Sequence, residues 1–284
     1  MRDFKGRTAF VTGGASGIGL GLARAFLGLG MNVMLADIEA ASLDRALVEL
    51  GSHGDAVRGL VVDVADRQAL EQAAAAAIAA FGRVHVLCNN AGVAVGGPQE
   101  KIAPADWNWI LGVNLMGVVH GIQAFLPHIK AHGEGGHIVN TASMAGLHSA
   151  PMLGPYCASK FAVVALSEGL AGELTGSGVG VSVLCPGWVR TRIDQSGRNR
   201  PQGAAEASPA ADTTMSRVFA ELIQAGMDPA QVAECVLDAI RNDDLYIVTH
   251  PDMRGLVEER FRRIQAAFDR SAAREAAGRV PAAR

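Results

Sequence analysis

The sequence predicts an α/β fold: one domain built on a doubly wound parallel sheet of about seven strands, with helices on both faces. Three observations predict it. Apolar, β-branched runs alternate with helical patterns from end to end. Those runs are apolar on both sides, as strands covered by two helix layers must be. A glycine-rich turn joins the first run to the first helix.

The elements follow in order. Strands are expected at Thr8–Thr12, Asn32–Asp37, Val57–Asp63, Val84–Asn89, His137–Ser143, Val179–Pro186 and Leu245–Thr249, each a short run rich in Val, Ile, Leu or Thr. Helices are expected near Gly17–Leu29, Ala41–Leu50, Arg67–Phe81, Pro104–Ala131, Pro155–Thr175 and Pro229–Arg241. Right-handed crossovers between such strands give a single-domain, Rossmann-type sheet over residues 1–250. The rhythm breaks at Thr191–Thr214, which is rich in Arg, Gly, Pro, Ala and Ser. An irregular stretch after a strand's carboxyl end suits a lid, here expected over residues 191–227. Residues 251–284 form a C-terminal helical extension. Within it Met253, Leu256, Val257, Phe261, Ile264 and Phe268 make Pro251–Phe268 an amphipathic helix, and Arg270–Arg284 reads as a frayed tail.

Bulk properties narrow the function. The 284 residues suffice for a large core, and a net charge of −3 with scattered basic residues offers no footprint for nucleic acid. The strand pattern begins by Thr8, which leaves no room for a signal segment, and the longest apolar run, Ala73–Ala80, is too short to span a bilayer. A cytoplasmic protein with no membrane partner is expected. Cys88, Cys157, Cys185 and Cys235 are far apart and read as reduced thiols. His128 and His132 are four apart, but no Glu completes a ligand motif, so no metal is expected.

The turn Thr12-Gly13-Gly14-Ala15-Ser16-Gly17-Ile18-Gly19 can hold a dinucleotide. Gly13, Gly17 and Gly19 allow a tight turn and close approach of backbone to pyrophosphate, with Ser16 and Ile18 among the contacts. The helix starting near Ile18 aims its N–H groups at the phosphates. Asp37, about 20 residues on, can accept hydrogen bonds from the adenosine ribose and would repel a 2′-phosphate. Ser16 and Ile38 stand where a basic residue would offset that repulsion, so the cofactor expected is NAD, not NADP. Asp63-Val64 closes the third strand and can hold the adenine edge or form only a turn.

Tyr156 and Lys160 are spaced to share one face of a helix. A carbinol that gives up a hydride must also lose its hydroxyl proton, which a tyrosine can take if its pKa falls. Going from about 10 to about 7 costs roughly 4 kcal/mol. The Lys160 ammonium and an oxidised nicotinamide have the right sign to supply it. Ser143 can donate a hydrogen bond to the substrate oxygen, and the Asn114 amide can anchor a water linking Lys160 to solvent. Met144, His148, Met152, Leu153 and Trp188 flank these groups and suit apolar walls of a substrate pocket.

Together these features resemble the short-chain dehydrogenase/reductase family over about residues 5 to 250. The match rests on Thr12, Gly13, Gly17 and Gly19, Asn89-Asn90-Ala91-Gly92, Asn114, Ser143, Tyr156-Cys157-Ala158-Ser159-Lys160, and Pro186-Gly187 followed by Thr191. The resemblance implies that Asn90, Ala91 and Gly92 stabilise the central strand beside the adenosine. It implies that Pro186, Gly187, Val189 and Thr191 cradle the nicotinamide, and that Tyr156 is the acid/base. It also implies subunit contacts through the helices bearing Asn114 and Tyr156, giving a homotetramer or homodimer. The tail and Trp107-Asn108-Trp109 resemble a subgroup that oxidises benzylic alcohols of lignin-derived aryl ethers. An NAD-dependent enzyme that interconverts a secondary alcohol and a ketone, running towards oxidation of an apolar substrate of moderate size, aromatic or not, is therefore expected. The alternatives are a 3-oxoacyl thioester ketoreductase, which Asp37 and Ile38 oppose, and a silent dinucleotide-binding scaffold, which the intact Asn114, Ser143, Tyr156 and Lys160 oppose.

Overall fold

The structure is a computed structural model and describes residues 1, 3–201 and 214–277. Among the described residues seven parallel strands form one sheet: β1 (Thr8–Thr12), β2 (Asn32–Asp37), β3 (Val57–Val61), β4 (Val86–Asn89), β5 (Gly136–Thr141), β6 (Val179–Cys185) and β7 (Tyr246–Val248). Their order is β3-β2-β1-β4-β5-β6-β7. Strand order reverses between β1 and β4, which opens a crevice at the carboxyl ends of those strands.

The helices are α1 (Gly17–Gly28), α2 (Ala40–Glu49), α3 (Arg67–Phe81), α4 (Pro104–Leu111), α5 (Gly117–Ala131), α6 (Gly154–Glu173), α7 (Thr214–Gln224), α8 (Pro229–Asn242) and α9 (Arg254–Ala276). Alternation along β1 divides the core between the two sheet faces. Ala9 and Val11 pack with Leu22 and Phe26 of α1 and Val236 and Ile240 of α8. Phe10, between them, packs with Leu70 of α3 and Ile129 of α5, its ring 4.4 Å from that of Phe125. Burying each such side chain contributes about 2–3 kcal/mol.

The long helix expected at Pro104–Ala131 is interrupted by one π-turn, Gly112–Met116. By length and composition this stretch could cross a membrane, which the sequence reading overlooked in favour of Ala73–Ala80. Its apolar side chains are used inside the fold, since Ile110, Val118, Phe125 and Ile129 are all buried.

Residues 214–224 of the expected lid form the helix α7, and residues 202–213 of that lid lie outside the described residues. One expectation is corrected further along the chain. The helix expected to end at Phe268 runs to Ala276, so the frayed tail does not begin at Arg270. Alanine-rich sequence with the highest intrinsic helix propensity explains the extension, and residues 278–284 lie outside the described residues. The chain divides into two units, Met1–Thr249 and His250–Arg284.

Candidate active site

The turn after β1 is a cradle that only glycine permits. Gly13 and Gly17 take φ of +61° and +51°, and a Cβ on Gly19 would sit 2.1 Å from the Gly13 carbonyl oxygen. The first turn of α1 therefore rests directly on the loop. Ser16 precedes α1 in extended conformation, and its hydroxyl does not cap the helix. Thr12 Oγ1 accepts from the N–H groups of Asn90 and Ala91 at 2.9 and 3.0 Å. Asn90 Nδ2 donates back to the Thr12 carbonyl at 3.0 Å, and Asn90 Oδ1 accepts from Thr141 Oγ1 at 3.3 Å. Asn90 thus ties together the carboxyl ends of β1, β4 and β5. A cradle of glycines at a helix start, fixed this firmly, fits a pyrophosphate.

Asp37, half-buried at the end of β2, accepts from Ala15 N at 3.1 Å and Glu39 N at 3.0 Å. Burial raises its pKa, and these two N–H donors oppose the shift. The expectation that no basic group stands near Asp37 is corrected. Arg198 acts on it electrostatically and binds Glu39 Nε to Oε1 at 2.8 Å, with Arg192 4.0 Å from the same carboxylate. Both arginines arrive from the segment after β6, which no local sequence pattern places beside β2. Asp63 and Val64 do not close β3, which ends at Val61. Asp63 Oδ1 accepts from Ala65 N at 2.9 Å in a tight turn, and Val64 is buried.

The residues expected to do chemistry meet at the same rim. Ser143, just past β5, accepts from Ala145 N at 3.1 Å and donates to the Pro186 carbonyl at 3.3 Å, and it acts on the Tyr156 phenol to lower its pKa. Tyr156 and Lys160 lie one turn apart on α6, with Nζ 5.7 Å from the phenol ring centre. Lys160 is buried and donates to the Thr141 carbonyl at 2.8 Å. Burial dominates both groups, pushing Tyr156 up to about 12 and Lys160 down to about 8. The expected acidic phenol is therefore not a property of the protein's own atoms. Desolvation of the phenolate exceeds the opposing help from Ser143.

Asn114 sits in the π-turn, fully buried. Its Oδ1 accepts from Val93 N at 2.8 Å, and Nδ2 donates to the Val93 carbonyl at 2.9 Å and to Ser159 Oγ at 3.0 Å. Both amide hydrogens are committed, so the side chain clamps backbone, and its donors are not available to anchor a water. Ser159, beside Lys160, was part of the recognised motif but had no role assigned.

Of the flanking residues, Met152 holds a left-handed φ of +67°, and its carbonyl accepts from Gly97 N at 2.7 Å. Trp188 packs against Phe219 of α7, with ring centres 5.7 Å apart and the rings tilted by 38°. His148 is half-buried, which lowers its pKa, and Leu153 is half-buried before α6. Met144, by contrast, is buried, which favours packing over substrate contact. Pro186 accepts from Ser143 and Met144, Val189 bridges to Met227, and Thr191 lies against Gly17. Gly187 completes this loop after β6.

At the opposite rim His132 meets His85 and Glu134, not His128. Thr8 N–H donates to His85 Nδ1 at 3.2 Å, so His85 Nε2 bears the proton shared with Glu134 at 2.9 Å. His132 Nδ1 accepts from Glu134 N at 3.2 Å, and its Nε2 donates to the Val84 carbonyl at 3.0 Å. Each ring's lone pair is already taken by backbone, so this cluster closes the sheet's amino-terminal edge.

A dinucleotide cradle and a Tyr–Lys pair on one rim define a nicotinamide-dependent oxidoreductase. The chain belongs to the short-chain dehydrogenase family, whose model matches residues 7–202. It is 36% identical to a C alpha-dehydrogenase of a Sphingobium species over 265 residues, 93% of this chain and 87% of the relative. It is 39% identical to a D-threitol dehydrogenase of Mycolicibacterium smegmatis over 205 residues, 72% of this chain and 78% of the relative. A short-chain dehydrogenase/reductase from Burkholderia phymatum, solved in complex with NAD, superposes with a TM-score of 0.91 at 40% identity, covering 94% of this chain and 97% of that one.

Proposed function

We propose that this dehydrogenase uses NAD to interconvert a secondary alcohol and a ketone, working in the direction of alcohol oxidation on an apolar, aromatic substrate. The observation that supports it most is the contact of Ser143 with the Tyr156 phenol beside Lys160, at the rim shared with the glycine cradle and Asp37. NAD, when bound, supplies a pyridinium ring that takes up the hydride. Tyr156 accepts the alcohol proton, and Ser143, oriented by Ala145 N and the Pro186 carbonyl, holds the substrate oxygen. Lys160, fixed by Thr141, stabilises the phenolate and bonds the nicotinamide ribose. Asn114 is a positioning residue that secures Val93 and Ser159 around that lysine.

Gly13, Ser16, Gly17, Ile18 and Gly19 hold the pyrophosphate, Asp37 the adenosine ribose, and Asp63 with Val64 the adenine edge. Pro186, Gly187, Val189 and Thr191 cradle the nicotinamide. Resemblance to a C alpha-dehydrogenase and the Trp188–Phe219 ring pair support an aryl substrate bordered by His148, Met152 and Leu153. A homotetramer or homodimer in the cytoplasm completes the proposal, and light scattering tests the assembly. The decisive experiment follows NADH formation with a panel of aryl, steroid and aliphatic alcohols. Tyr156→Phe is expected to abolish turnover while NAD still binds. A wild type that binds NAD but oxidises nothing in the panel would favour the scaffold reading.

A further inference from the structure

Glu39 lies two residues beyond Asp37, and its carboxylate collects groups from a distant part of the chain. Arg198 Nε and Asn199 Nδ2 donate to Oε1 at 2.8 and 2.9 Å, and Ser42 Oγ donates to Oε2 at 3.0 Å. Arg192 lies 4.0 Å from Oε2. The two acids form one corner, because the Glu39 N–H donates to Asp37 Oδ1. Arg198 is held further by its own segment, with Nη1 donating to the carbonyls of Arg192 and Gln195 at 2.9 and 2.8 Å.

That segment, Ile193–Asn199, is anchored elsewhere too. Ser196 Oγ accepts from Ala94 N at 3.1 Å, and Arg200 pairs with buried Asp106 while lying 5.4 Å from the Trp109 ring. The result is a strap from the loop after β2 to the loop after β4, across the crevice mouth, with a guanidinium brought to the Asp37 corner and engaged there.

We infer that Glu39 is a second determinant of dinucleotide choice: it occupies Arg198, which would otherwise answer a 2′-phosphate approaching Asp37. Asp37 repels that phosphate directly, and Glu39 withholds the cation able to offset the repulsion. The inference rests on the reading of Asp37 as the ribose ligand.

Fluorescence titrations with NADH and NADPH test it without requiring turnover. Glu39→Gln keeps a carbonyl acceptor for Asn199 but removes the charge. The ratio of NADPH to NADH affinity is expected to rise about tenfold, the effect of deleting one nearby carboxylate from a partly solvated site. Adding Arg198→Gln is expected to erase that gain. The inference is overturned if Glu39→Gln leaves the ratio unchanged, or if the gain survives the loss of Arg198. A wild type that binds neither dinucleotide overturns the Asp37 reading as well, whereas normal NADH binding with an unmoved ratio overturns the Glu39 inference alone.

Discussion

Ionisation of Tyr156 is the step on which the proposed chemistry turns, and its cost can be worked from the geometry. Burial pushes the phenol up to about 12, against partial help from Ser143. Bringing it to about pH 8 requires roughly 5 kcal/mol of phenolate stabilisation. Lys160 Nζ lies 5.7 Å from the ring centre. A unit charge at about that distance contributes about 3 kcal/mol at an effective dielectric of about 20, or about two pKa units. The lysine closes about half of the gap, and its own pKa near 8 means its charge fades as the pH rises past that value. The remainder falls to the positive charge of oxidised NAD.

The sequence contains two tyrosines, Tyr156 and Tyr246. In a Tyr246→Phe background, ultraviolet difference titration therefore reads Tyr156 alone. Without dinucleotide, little phenolate is expected below about pH 10.5, and NAD is expected to bring the onset down by about two units or more. Lys160→Met should move the NAD-bound onset back up by about two units. Phenolate appearing below about pH 9 in the dinucleotide-free protein would refute the claim that burial governs this phenol.

Other perturbations follow from the same contacts. Asn114→Ala strands the Val93 N–H and carbonyl in a buried site and should cost about 3–5 kcal/mol in urea denaturation; a loss under about 1 kcal/mol would mean that the clamp is replaceable. Gly19→Ala puts a methyl group against the Gly13 carbonyl, and calorimetric titration should show NAD affinity reduced at least about a hundredfold, the loop having no slack to absorb the clash. Asp37→Ala should narrow the ratio of kcat/KM for NAD over NADP by about tenfold or more. An unmoved ratio would show that the carboxylate is not the selector.

Much of the scaffold was legible because local signals agreed with one another. β1, β2 and α3 have the bounds their sequence patterns suggest: strands stop where glycine or an acid ends the apolar run, and Asp66 caps α3 through the N–H groups of Gln68 and Ala69. The meeting of Ser143, Tyr156 and Lys160 was also foreseeable, since strand ends in a doubly wound sheet converge on one rim. The π-turn was not, because shifting a hydrogen bond from i−4 to i−5 leaves the apolar pattern intact. Nor was the Glu39–Arg198 pair, whose partners are separated by 159 residues. The upward shift of Tyr156 in the dinucleotide-free protein was hidden for a related reason. Sequence displays the attractive charge four residues away but not the enclosure that outweighs it.

The widened turn at Gly112–Met116 has an evolutionary consequence. A bulge of this kind lets a helix gain one residue while the flanking turns keep their phase. Val118, Phe125 and Ile129 therefore stay seated against the sheet whether or not the extra residue is present. Deleting it should yield a folded helix that has lost the perch from which Asn114 reaches Val93. Selection could thus adjust what this stretch presents to the crevice without renegotiating the hydrophobic interior behind it.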